Sequence, residues 1–209
     1  MANLLDILNS DLGKQIVSGI GKQTGATQKE TSSVLSSALP AMLDGMHKNA
    51  LQGGADGILN ALGKHDGSIL NNVTDFLGGG SQVATDGKGI LGHIFGDQLG
   101  AVADGISKQS GVSKTKTSSI LEMAAPIVMG YLGKQTKSSG VKNGGGLASV
   151  LGGLLSSAGG GGIVTSLLDQ NGDGKLDIND IASVVTGTRK GNSSGLGGLL
   201  GGIFGKHRK

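Results

Sequence analysis

Between Ala26 and Lys48 the apolar residues Val34, Leu35, Ala38, Leu39, Met42, Leu43 and Met46 return at steps of three and four. That spacing lays one apolar stripe along an α-helix. Thr27 and Glu30 mark its start as a capping box. The threonine hydroxyl takes an orphan N–H of the first turn, and the glutamate reaches back to the N–H of the cap residue. Pro40 falls inside the stripe and predicts a kink, because it lacks an N–H and crowds the preceding turn. Nowhere does the chain sustain a period-two alternation of β-branched residues, so strands are not expected and the fold class is all-α.

The pattern occurs twice. Residues 18–43, "SGIGKQTGATQKETSSVLSSALPAML", return in register as "DGISKQSGVSKTKTSSILEMAAPIVM" at 104–129. Gly25, Thr31, Ser33 and Pro40 reappear as Gly111, Thr117, Ser119 and Pro126. A helix, a glycine turn, a Ser/Thr cap and a proline-bearing helix are therefore predicted twice. Two copies are too few for a solenoid, so they are expected to pack as pseudo-symmetric halves. Between them, "GGADGILNALGK" and "GSILNNVTDFLG" predict short helices punctuated by glycine.

Past residue 137 the composition changes. "KSSGVKNGGG" has the make-up of a flexible linker. The chain divides on this basis into a helical domain at 1–137, a Gly/Ser linker at 138–146 and a Gly/Leu-rich helical region at 147–209. The stretch "GKGILGHIFGDQLGAVADGISKQSGVSKTKTSSILEMAAPIVMGYLGK" (87–134) resembles the YidB-like bacterial family of unknown function. The N-terminal copy carries a weaker version, with "LPAMLDGM" in place of "APIVMGYL". The resemblance covers roughly 1–134 and implies a helical fold; it brings no activity and no catalytic residues with it.

Composition narrows the chemistry. Forty-two of the 209 residues are glycine, against an average of about 7%. There is no tryptophan and one tyrosine, so the core must come from Leu, Ile, Val, Ala and Met. Cysteine is absent, which removes disulfides, thiolate catalysis and cysteine-based zinc sites. The formal charge is +3, and Arg189, Lys190, Lys206, Arg208 and Lys209 in the tail outweigh it, so no nucleic-acid-binding face is expected. The start "MANLLDILNSDLGKQ" lacks a basic n-region followed by an apolar run. It does not read as a secretory signal, and a cytoplasmic location is the default expectation.

Acid is concentrated in "DQNGDGKLDIND" (169–180). A hard cation needs six or more oxygens at about 2.3–2.6 Å, and a twelve-residue loop can supply them from positions 1, 3, 5, 7, 9 and 12. Those positions hold Asp169, Asn171, Asp173, Lys175, Asp177 and Asp180. Lys175 would give only its backbone carbonyl. Gly174 at the sixth position permits the sharp turn, and Leu176 is the apolar anchor. The loop resembles that of an EF-hand, with Asp180 where glutamate is usual. The shorter acid weakens calcium and narrows its advantage over magnesium. It also resembles a dockerin loop, although a second loop is missing. The expectation is a Ca2+ site, with Mg2+ as the competing ion, in a structural role.

Other motifs read blandly. "GKGILG" (87–92) matches a dinucleotide pattern, but no strand precedes it. "GNSSG" (191–195) lies in a polar stretch and not at a strand-to-helix elbow. His47, His65, His93 and His207 show no ligand spacing, and His93 reads as a packed or capping residue. "GLGGLLGGIFG" (195–205) suits close helix contact, by self-association or docking onto the helical body, with another protein as the further partner expected. With the basic "KHRK" behind it, the same segment suits a membrane surface as the alternative. The uncharged run 144–168 is long enough to span a bilayer, but its nine glycines and four serines disfavour insertion. No small-molecule substrate and no enzymatic activity are expected. The function expected is that of a calcium-binding helical protein with a structural or interaction role.

Overall fold

The computed structural model describes residues 8–157. Among the described residues every regular element is helical, as expected.

Helix α1 (Asp11–Thr24) starts where the Ser10 hydroxyl accepts the Gly13 N–H at 3.1 Å, and Gly25, at φ 65°, ends it in the left-handed region. Helix α2 (Gln28–Asn49) opens on the expected capping box. The Glu30 N–H donates to Thr27 Oγ1 at 3.2 Å, and the Thr27 N–H to Glu30 Oε2 at 2.7 Å. A π-helical turn (Ala50–Gly54) kinks the chain at Gly53, φ 96°, and leads into α3 (Ala55–Lys64). A 3₁₀ turn (Ser68–Asn71) and the short α4 (Val73–Gly78) lead to α5 (Ser81–Phe95). The second repeat follows as α6 (Leu99–Ser110), Gly111 at φ 70°, a Ser113 cap and α7 (Lys114–Ser138).

The two repeats fold alike. Val34 and Ile120, Leu35 and Leu121, Leu43 and Met129, and Met46 and Leu132 hold equivalent positions, and all are buried. Each contributes about 1.5–3 kcal/mol relative to leaving it in water. The proline helices α2 and α7 pack on each other at the centre, α1 lies on both of them, and so does α6. Both continue through their prolines. Pro126 has no N–H to give to the carbonyl four residues back, that of Glu122. Gly87 of α5 lies against that carbonyl so closely that a Cβ would overlap it.

Helix α8 (Gly144–Ser157) starts inside the stretch read as a linker. The Asn143 side chain caps it by accepting the Gly146 N–H at 2.9 Å, and the Val141 N–H closes the turn on Thr136 O at 3.0 Å. Leu147, Leu151 and Leu155 of α8 are buried, packed chiefly on α2. In return, α3 packs on α7. Each proline helix thus carries the helix that follows its counterpart in the other half, and the halves interlock.

Candidate functional site

The acidic positions Asp169, Asn171, Asp173, Lys175, Asp177 and Asp180 lie outside the described residues, as do 191–195, 195–205 and His207. Among the described residues no group of three or more acidic or histidine side chains is placed to hold a metal ion. "GKGILG" falls in the interior of α5, where its N–H groups belong to the helix and not to a phosphate-cradling loop.

What the described fold does build is a cleft of about 590 Å³ between α3 and α5. Both helices rest on α7. Asp86, Gly89, Ile90 and His93 line it from α5; Gly57, Ile58, Ala61 and His65 line it from α3 and its end. Each set follows the three-and-four spacing of one helix face. The floor includes the buried Met46 of α2 and Met129 of α7. The walls are low because glycines form part of them: a Cβ at Gly57 or Gly89 would meet nothing within 4 Å.

One polar pair stands in this cleft. His65 Nδ1 is 2.8 Å from Ala61 O. A carbonyl can only accept, so Nδ1 carries a proton and Nε2 is turned to the cleft. There it faces Asp86 Oδ2 at 3.6 Å, the histidine side chain one-fifth exposed and the aspartate one-half. Lys64 and His93 lie on the exposed rim. His93, expected to be packed or capping, is exposed, and its backbone carbonyl accepts from Asn49 Nδ2 at 3.0 Å. His47 lies instead beside Gly152 of α8, where a Cβ would stand 3.5 Å from its Nε2.

Sequence reading sees these histidines as scattered. The signal that joins them is the pair of helix faces, which shows only when α3 and α5 are laid on a common floor. A second hollow, of about 50 Å³ and lined by Leu12, Leu39, Ile127 and Tyr131 among others, has an apolar lining; burial pushes the Tyr131 hydroxyl pKa up.

Among the described residues no helix is long and apolar enough to cross a membrane. The sequence pattern of one family, described as a bacterial protein of unknown function (DUF937), matches residues 6–135, which takes in every element from α1 through most of α7. No curated protein and no solved structure matches the chain.

Proposed function

The chain belongs to the DUF937 family of bacterial proteins of unknown function, and from that footing we propose that it is a non-enzymatic, YidB-like helical scaffold whose C-terminal loop binds calcium. Its role on this reading is structural or interaction-based, with self-association through the Gly/Leu segment 195–205 as the means. The observation that carries the proposal is the Asp169–Asp180 spacing. Oxygen-bearing side chains stand at positions 1, 3, 5, 9 and 12, glycine stands at 6, and Lys175 leaves position 7 to its backbone carbonyl. Four carboxylates in one turn repel each other, and a dication removes that repulsion. Helices between residues 11 and 157 pack on one another as one interlocked body.

Calorimetric titration of the full chain with calcium, in excess magnesium, tests the proposal. One site per chain is expected, with a dissociation constant between about 10⁻⁵ and 10⁻³ M. Asp173→Ala should weaken it by at least about tenfold, equivalent to about 1.4 kcal/mol. Absence of saturable heat, or equal heat from the variant, would overturn it.

A further inference from the structure

We propose that the α3–α5 cleft is a binding site for a small primary amine carrying an apolar body. The inference is independent of the calcium loop.

Its starting point is the His65–Asp86 pair. With Nδ1–H committed to Ala61 O, a neutral imidazole presents the Nε2 lone pair to a carboxylate oxygen only 3.6 Å away. Two acceptors face each other with no donor between them. A protonated ring answers this by pairing with Asp86 directly. A neutral ring needs a donor, which water can supply at the half-exposed Asp86 and which an ammonium supplies together with a charge that the carboxylate attracts. An ammonium nitrogen at hydrogen-bond distance, about 2.8–2.9 Å, from both atoms closes a triangle on the pair. It gives one proton to Nε2 and one to Oδ2. A carboxylate or phosphate in the same place would add a third acceptor.

The rest of the cleft suits the body of such a ligand. A volume of about 590 Å³ falls within the usual range for small-molecule sites, about 300–1,000 Å³. Its floor, with Met46, Ile90 and Met129, is apolar and buried. Thioether side chains adapt to ligand shape. Lys64, the nearby cation, is exposed and can swing its ammonium into water. Gly57 stands in the first turn of α3 and Gly89 in the interior of α5, where a glycine costs about 1 kcal/mol relative to alanine. No neighbouring atom of the chain requires glycine there, since an added Cβ would meet nothing. Their effect is to leave the cleft open.

The test uses the full chain labelled at the methionine methyls, at about pH 8. Three probes of one size are titrated: n-hexylamine, hexanol and hexanoate. Hexylamine should shift the Met46 and Met129 methyl resonances saturably and leave Met42 and Met123 in place, while hexanoate shifts none. Asp86→Asn should weaken hexylamine by at least about tenfold. Gly89→Leu fills the cleft and should abolish binding without lowering helicity or melting temperature. If that variant does not fold, Gly57→Leu serves from the opposite wall. Equal shifts by hexanoate and hexylamine, hexylamine binding unchanged in Asp86→Asn, or no shift at millimolar probe would each overturn the proposal.

Discussion

Glu30 and Lys116 occupy the same position of the two repeats, and they meet: Lys116 Nζ lies 3.0 and 3.1 Å from the two Glu30 oxygens. Residues related by a two-fold touch each other only beside its axis, so this ion pair marks the pseudo-axis. Two glutamates there would repel, whereas a glutamate facing a lysine is attracted. The Thr27 N–H and the Lys116 ammonium hold the Glu30 carboxyl down from its ordinary 4.5 to about 2. A folded pKa below the unfolded one stabilises fully above the unfolded value and is lost as pH falls through the folded one. Glu30→Gln keeps a side chain able to close the capping box but carries no charge. Its stability deficit against the native chain, measured by urea unfolding, should be largest near neutrality. It should shrink below pH 4.5 and disappear only as the pH falls through and below about 2, the folded value. A deficit that stays constant across that range would refute the assignment of the effect to charge.

At the scale of the element, α5 shows what the glycines do. Gly87 and Gly92 both sit in its interior, yet their surroundings are opposite. Gly87 lies against the Glu122 carbonyl, whereas a Cβ on Gly92 would meet nothing within 4 Å. Gly87→Ala should therefore lift α5 off α7 and cost about 1–3 kcal/mol or more, as overpacking does. Gly92→Ala should stabilise by about 0.4–1 kcal/mol, by restricting the unfolded chain. Thermal melts of the two variants should move in opposite directions; movement in the same direction would contradict the packing at Pro126. A sequence alone lists both residues simply as glycine. Thr27 and Glu30 were readable because a capping box is written in neighbouring residues, and the repeat because its two copies stay in register. The start of α8 was hidden. Asn143 caps it, but the three glycines that follow give the look of a linker. The α3–α5 cleft was hidden for another reason: His65 and Asp86 come from different helices, and a meeting between helices leaves no local period. The acidic loop is a reading of twelve consecutive residues alone, and it lies outside the described residues.

Across the whole molecule the interlock decides how the chain unfolds. Helix α8 covers α2 of the first half, and α3 covers α7 of the second, so neither half has its full set of neighbours without the other. A core shared in this way should melt as one unit. Leu151 tests it. It lies on α8, beyond the second repeat, and is fully buried, as is its counterpart in burial Leu121 on α7. If α8 is part of the common core, Leu151→Ala and Leu121→Ala should each cost about 2–5 kcal/mol through lost transfer energy and the cavity left behind. Both should move a single urea transition, followed by helical circular dichroism, without splitting it. Were residues 144–157 an appendage, Leu151→Ala would leave the main transition in place and add an earlier, smaller one. Hydrogen exchange separates the two outcomes independently. In the shared core, the amides of α2 lose protection when Leu151 on α8 is truncated, because the face that α8 covers is opened to water.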